Sequence, residues 1–323
     1  MTVARVLITA QIPGDGPARL AAAGHDVSYR DVAAPMPRDE LLRAVEGVDA
    51  LVAMLVDRVD AELLDAAGPG LRVVADVVVG YDNVDVGACT ERGVVVTNTP
   101  GVLTDATADI AMALVLMSTR GLGAAERRVR TGEPWPWSFT ADLGTGLRGK
   151  TLGIVGPGAI GLATARRAAA FGMEILLSGR SEPDPGVVDG LGARVVDLGE
   201  LLAASDVVSL HCPLTPATHH LIGADELRAM KPTAHLVNTA RGPVVDEAAL
   251  VAALEAGEIA GAGLDVFEDE PRVHPGLLTR ADVVLLPHVG SATVETRTAM
   301  ADLAIANVLA VLGGEDAVTP VPG

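Results

Sequence analysis

A chain of 323 residues that is 49% hydrophobic is long enough for two ordinary cores. With aromatic residues at only 2%, those cores must be filled by Ala, Val and Leu, which suits α/β layering and disfavours a β-sandwich. A net charge of −18 argues against nucleic acid or an anionic membrane as partner, because both demand a positive footprint. Cys89 and Cys212 are too few for a disulfide framework or a zinc site. There is no signal-peptide layout at the N-terminus and no uncharged apolar run of about 18 residues, so a cytoplasmic location is expected.

From the start, short β-branched runs alternate with amphipathic segments. Strands are expected at ARVLITA, DVSYR, ALVAML, RVVADVVVG and VVVTN, with helices over 17–23, 38–46, 60–67 and 84–92 between them. This alternation marks a parallel, doubly wound sheet and makes roughly the first hundred residues a small domain. Gly80 follows the apolar strand 73–79, where a strand's carboxyl end would meet a ligand crevice; a plain turn glycine is the simpler reading.

Pro100 and Gly101 then break the strand, and Thr104 is expected to cap a long apolar helix that runs to residue 120 and is buried between domains. Thr107 lies in its first turn, where the hydroxyl could reach a cofactor or serve capping alone. Trp135, Pro136 and Trp137 form a rigid, exposed loop that suits a subunit contact, a lid or simple packing.

The stretch TLGIVGPGAIG, 151–161, reads as strand, tight turn and helix. Gly156 permits the turn, Gly158 lets backbone approach a pyrophosphate, and Gly161 allows the helix over 159–172 to pack close on the strand. Strands EILLSG, ARVVD, DVVSLHC, AHLVNT, AGAGLDV and DVVLLP follow and complete a Rossmann sheet. At the end of the second strand, where an acid would hold an NAD ribose, the chain instead reads Ser178, Gly179, Arg180, Ser181. An arginine there favours a 2′-phosphate, hence NADP, with NAD still possible because Glu182 is close by. A solvated turn arginine is the alternative. The final helix, 293–312, is apolar on one face and could return to the first domain, making that domain discontinuous.

Seven motifs carry a resemblance across nearly the whole chain: VGYDNVDV (79–86), NTPGVLTDATAD (98–109), GKTLGIVGPGAIG (149–161), HCPLTPATHHLIG (211–223), NTARGPVVDEAAL (238–250), GAGLDVFEDEP (261–271) and LPHVGSATVETR (286–297). On these the chain resembles the D-isomer-specific 2-hydroxyacid dehydrogenases, and within them the glyoxylate/hydroxypyruvate reductase branch. The resemblance implies an α/β protein of two doubly wound parallel-sheet domains. A Rossmann cofactor domain, 99–291, is inserted in a discontinuous flavodoxin-like substrate domain, 1–98 and 292–323. It further implies a homodimer and an active site in the interdomain cleft.

Carried over by position, the family's arginine falls on Arg241, its acid on Glu270 and its histidine on His288. Arg241 would fork onto the carboxylate and carbonyl of a small 2-oxo acid. His288 would donate a proton to the developing alkoxide, and in the direction of 2-hydroxy acid oxidation it would act as base. Glu270, hydrogen-bonded to the imidazole, would favour its charged form and raise its pKa. The backbone amides of Val79 and Gly80, with Leu55, would bind the substrate. Gly158, Ala159 and Ile160 would hold the pyrophosphate, Ser178, Arg180 and Ser181 the ribose 2′ position, and Cys212 and Pro213 the adenosine. Thr107, Thr239, Asp265 and Gly290 would surround the nicotinamide, with Asp265 accepting from the carboxamide.

Cys212 is read as a wall residue, since no activating base is implied for it. His219 and His220 are read as surface residues, and no metal site is expected. Pro157 and Ala159 stand where relatives often carry a larger residue and an arginine, and a tryptophan that reaches a neighbouring subunit in some relatives falls on Ala141. The other readings are a phosphoglycerate dehydrogenase or a dehydrogenase of larger 2-oxo acids, and a non-catalytic NAD(P)-sensing binder. Formate dehydrogenases carry Gln at the position of Glu270.

Overall fold

Short runs of Val, Leu, Ile and Ala form the first sheet, because β-branched and apolar side chains fit a pleated surface covered on both faces. In chain order the elements are Arg5–Ile8 (β1), Gly16–Ala22 (α1), Asp26–Tyr29 (β2), Arg38–Ala44 (α2), Ala50–Ala53 (β3), Ala61–Ala67 (α3), Val73–Asp76 (β4), Val86–Glu91 (α4) and Val95–Thr97 (β5). The computed structural model describes residues 3–135, 137–180 and 183–322. It divides into two units, Met1–Leu103 with Ser291–Gly323, and Thr104–Gly290.

In the first unit the strands are parallel in the order β2-β1-β3-β4-β5, and the central β3 and β4 are buried along their whole length. The terminal helix Val294–Gly313 belongs to this unit and packs on β3, β4 and α1. Thr293 caps it by accepting from the Thr296 amide at 3.1 Å. Its length and composition would suit a membrane span. Here, however, Met300, Ala301, Ala304, Ile305 and Val308 are buried, and a Cβ on Gly16 would stand 2.7 Å from Ile305 Cγ1. Arg19 adds an ion pair to Asp302 at 2.6 Å. β4 ends at Asp76, so residues 77–79, expected as strand, belong to the loop beyond it.

The second unit begins with Thr104–Thr119 (α5) and Leu122–Arg130 (α6). Thr104 is the first helical residue rather than the cap, and α6 is an element the sequence reading did not anticipate. There follow Thr151–Val155 (β6), Ala159–Ala170 (α7), Glu174–Ser178 (β7), Pro185–Leu191 (α8), Arg194–Val195 (β8), Leu198–Ala204 (α9) and Val207–Leu210 (β9). Ala224–Ala229 (α10), His235–Asn238 (β10), Glu247–Ala256 (α11), Gly261–Leu264 (β11), Pro275–Leu278 (α12) and Val283–Leu285 (β12) complete it.

The strands form a parallel seven-stranded sheet in the order β12-β11-β10-β9-β6-β7-β8. The order reverses between β9 and β6, and ligands of open α/β sheets bind outside the carboxyl ends of the strands at such a switch point. α5 packs on β10, β11 and α7, and Gly263 lets it approach, since a Cβ there would stand 2.9 Å from Leu114 Cβ.

Candidate active site

At the switch point the loops after β6, β7 and β9 are drawn around one turn. Gly156 has φ +88°, and a Cβ on it would stand 2.6 Å from the Cys212 amide nitrogen, so only glycine fits. Its amide donates to the Ser178 carbonyl at 2.8 Å. A Cβ on Gly161 would stand 2.5 Å from the Gly156 carbonyl oxygen, which is the close helix–strand packing expected of that position. Gly158 differs from both. It caps α7, whose first amides, those of Ala159 and Ile160 among them, lack intrahelical partners, and a Cβ on Gly158 would meet nothing within 4 Å, so the helix start is open at this residue.

Around this turn Ser178 and Cys212 are buried and Pro213 is exposed, its carbonyl accepting from the Thr218 hydroxyl at 2.6 Å. Burial pushes the Cys212 thiol up to about 11, so it stays protonated at neutral pH. Gly179 abuts the turn, because a Cβ on it would stand 2.6 Å from Pro157 Cδ. This sets Arg180 next to the glycine turn. Arg180 is exposed and makes no ion pair with any described residue. Ser181 and Glu182 lie outside the described residues.

A second cluster is built on the loops after β10, β11 and β12. Asn238, buried at the end of β10, donates to the Arg241 carbonyl at 2.9 Å and accepts from the Ala240 amide at 3.0 Å, bracing the loop that presents Arg241. The next residue, Gly242, touches the loop after β11: a Cβ on it would stand 1.8 Å from the Phe267 carbonyl oxygen. From that loop the Phe267 amide donates to Glu270 Oε1 at 3.0 Å. His288, after β12, donates from Nδ1 to Glu270 Oε2 at 2.8 Å, which leaves Nε2 as the ring nitrogen not engaged by Glu270.

Burial alone would raise the Glu270 carboxyl. The hydrogen bond and charge of His288, the Phe267 amide and the charge of Arg241 outweigh it and hold the carboxyl below its ordinary value. Glu270 is therefore ionised at neutral pH. The three residues assigned from the family motif, Arg241, Glu270 and His288, act on one another.

His288 has φ +54°, a strained conformation for a residue other than glycine. Asp265 holds it there. The Asp265 carbonyl accepts from the His288 amide at 2.8 Å, Oδ1 from the Val289 amide at 2.8 Å, and Oδ2 from the Gly290 amide at 2.7 Å. Burial raises the Asp265 carboxyl, against the pull of those amides. Thr107 is buried beside this loop, since a Cβ on Gly290 would stand 3.4 Å from Thr107 Cγ2. Thr239 is buried as well, and its hydroxyl has no hydrogen-bond partner among the described residues.

The remaining residues expected at the site belong to the first unit. Leu55 is half-buried in the turn after β3, and Val79 and Gly80 are half-buried in the loop after β4. That loop is fixed by the Thr99 amide, which donates to the Val78 carbonyl at 2.8 Å, and by Asn98, which donates to the Val79 carbonyl at 2.7 Å.

Residues 112–290 match the family model of the D-isomer specific 2-hydroxyacid dehydrogenase NAD binding domain. The glyoxylate reductase of Thermococcus litoralis is 50% identical over 316 residues, 96% of this chain and 94% of that protein. The chain belongs to the D-isomer specific 2-hydroxyacid dehydrogenases.

Solved structures superpose along the whole length of this dehydrogenase. The TT0316 protein from Thermus thermophilus has a TM-score of 0.92 at 45% identity, covering 98% of this chain and 100% of its own. The NADPH-dependent glyoxylate/hydroxypyruvate reductase from Sinorhizobium meliloti, solved with NADP and malonate, has a TM-score of 0.84 at 40% identity, covering 99% and 97%.

The residues present fit the dinucleotide of a D-2-hydroxyacid dehydrogenase. Open space beside Gly158 at the start of a 12-residue helix suits a pyrophosphate, and the unpartnered Thr239 hydroxyl beside the Arg241 loop awaits a polar ligand atom. Two supporting residues carry no mark in the sequence. Asn238 and Gly242 flank Arg241 within NTARG and could have been found by asking what holds the loop. Asp265, expected to accept from the carboxamide, also accepts the Val289 and Gly290 amides of the His288 loop. Of the two histidines expected at the surface, His219 is exposed and His220 is half-buried, hydrogen-bonded to Glu268 at 2.8 Å.

Proposed function

We propose that this dehydrogenase reduces small 2-oxo acids, glyoxylate to glycolate and hydroxypyruvate to D-glycerate, with NADPH preferred over NADH. The observation that carries the reading is the His288–Glu270 pair at 2.8 Å with the charge of Arg241 beside it. A bound reduced nicotinamide supplies the hydride that adds to the carbonyl carbon. Arg241 forks onto the substrate carboxylate and carbonyl oxygen, orienting the acid and polarising the bond. His288 Nε2–H gives its proton to the oxygen as the alkoxide develops, and ionised Glu270 stabilises the imidazolium before that transfer. In the reverse direction Nε2 takes the hydroxyl proton.

The substrate preference is supported by the glyoxylate reductase of Thermococcus litoralis and the glyoxylate/hydroxypyruvate reductase of Sinorhizobium meliloti, the latter solved with NADP. For the cofactor, exposed Arg180 next to the glycine turn supports a 2′-phosphate. Trp135, Trp137, Phe139 and Val129 are exposed and line a depression of about 550 Å³, which supports the reading of a homodimer that covers this apolar surface. A cytoplasmic location belongs to the same reading.

Initial rates of NADPH and of NADH oxidation with glyoxylate, hydroxypyruvate, pyruvate and a bulky 2-oxo acid test it. Fast turnover of glyoxylate and hydroxypyruvate with NADPH is expected. Preference for the bulky acid or for NADH overturns the specificity, and cofactor binding without any turnover overturns the reaction.

A further inference from the structure

One half-buried cluster of ionisable groups takes no part in the chemistry above. His220, after β9, has φ +51°, a conformation unfavourable for a histidine, and its amide donates to the Pro243 carbonyl at 2.8 Å. Its Nε2–H donates to Glu268 Oε1 at 2.8 Å, its Nδ1 lies 4.0 Å from Asp246 Oδ2, and its ring stacks on His219. Glu268 and Glu247 bind each other reciprocally. The Glu268 amide donates to Glu247 Oε1 at 2.6 Å, and the Glu247 amide donates to Glu268 Oε2 at 3.2 Å.

These contacts converge on one peptide group. The Phe267–Glu268 peptide has its carbonyl against Gly242 and its N–H on Glu247, while the Glu268 side chain is tied to His220. The preceding amide, that of Phe267, donates to Glu270 Oε1. Any shift of this peptide moves the donor that orients Glu270.

Two carboxylates this close repel each other unless a donor or a positive charge lies between them. Burial pushes the Glu247 carboxyl up, and although the Glu268 and His274 amides pull it down, the Glu268 charge adds to the rise. The His220 N–H is the side-chain donor that Glu268 has on its outer oxygen.

We propose that His220, Glu268 and Glu247 form a bracket that positions Glu270 against His288, with His220 as the residue that closes it. The proposal rests on the reading of Glu270 and His288 as the proton-transfer pair. The charged groups facing Glu270 are His288, Arg241 and Asp265, and those facing the bracket are Asp246, His219 and His274, so none of these is altered in the test.

The test compares His220→Ala with His220→Gln, whose amide can still donate to Glu268. With glyoxylate and NADPH, His220→Ala is expected to lower kcat about tenfold while KM and NADPH affinity stay within about twofold, and His220→Gln to restore most of the loss. Added to Glu270→Gln, His220→Ala is expected to cost nothing further, because the bracket acts through Glu270. An additive loss, or no rescue by Gln, overturns the proposal.

A readout that needs no turnover separates this from the reaction itself. The Glu270 carboxyl, labelled with ¹³C and assigned by its disappearance in Glu270→Gln, is expected to titrate at higher pH in His220→Ala than in the parent and to return in His220→Gln. An unmoved titration overturns the bracket even for an enzyme active on glyoxylate. A parent that reduces no 2-oxo acid but shows the shift overturns the proposed reaction and leaves the bracket standing.

Discussion

Asp265 and Gly290 are fitted to each other: Asp265 Oδ2 accepts the Gly290 amide at 2.7 Å, and a Cβ on Gly290 would stand 3.1 Å from that same oxygen. The buried carboxylate thus takes two consecutive amides of the loop and keeps His288 in a left-handed conformation that an unsupported chain would leave. Asp265→Asn turns one of those acceptors into a donor facing an N–H. The expected result is a fall in kcat of roughly 100-fold from misplacement of His288, with a loss of about 1–3 kcal/mol of stability from the unsatisfied amide. Steady-state kinetics and thermal unfolding check this, and a parent-like kcat would show that the loop holds itself.

Gly242 is intolerant of any side chain for a different reason. A Cβ would stand 1.8 Å from the Phe267 carbonyl oxygen and 2.4 Å from the Glu268 nitrogen, both backbone atoms that cannot rotate away. Gly242→Ala is expected to destabilise the second unit by at least about 3 kcal/mol, the upper end for overpacking. Urea unfolding measures this directly, and a change below about 1 kcal/mol would mean that the two loops separate easily.

Acid sensitivity follows from Glu270. Its folded value lies below the ordinary 4.5, so the folded state binds fewer protons than the unfolded chain as pH falls through that region. The stabilisation it provides is complete above 4.5 and is lost as pH drops further, through the folded value. The stability difference between the parent and Glu270→Gln is therefore expected to be flat from neutral pH to 4.5 and to shrink below it. Denaturant melts over that range decide it. A difference that grows on acidification would reverse the sign.

Cofactor choice is assigned to Arg180. Removing a charge-assisted contact to a 2′-phosphate costs about 1.5–3 kcal/mol, so Arg180→Ala is expected to erode the NADPH-to-NADH ratio of kcat/KM by roughly 10- to 150-fold. Kinetics with both cofactors supply the test, and an unchanged ratio would remove Arg180 as the selector.

Much of this architecture was legible in the residues. The alternation of apolar runs with amphipathic segments places nearly every strand, and the spacing of Gly156, Gly158 and Gly161 locates the turn at the switch point, because sheet burial and close packing leave local traces. Arg241, Glu270 and His288 were visible through family motifs and not through chemistry, since a glutamate in EDEP and a histidine after LLP have no local mark of function. What stayed hidden was the support. Asp265 holding the His288 loop, Asn238 bracing Arg241 and Gly242 against Phe267 depend on contacts between loops, which no periodicity encodes. β4 proved shorter than its apolar run because 77–79 turn out of the sheet into a loop held by Asn98 and Thr99.

The terminal helix carries a consequence for the order in which the protein can be made. The second unit is one continuous stretch and can close as soon as its own residues have left the ribosome. The first unit cannot, because the helix covering β3 and β4 is synthesised only after the whole of the second unit. At about 5–20 residues per second, the β3–β4 face waits roughly ten to forty seconds for its cover while the whole of the second unit is built. A nascent chain is therefore most exposed to misassembly in the half that is translated first, and the half translated later is the first to finish folding.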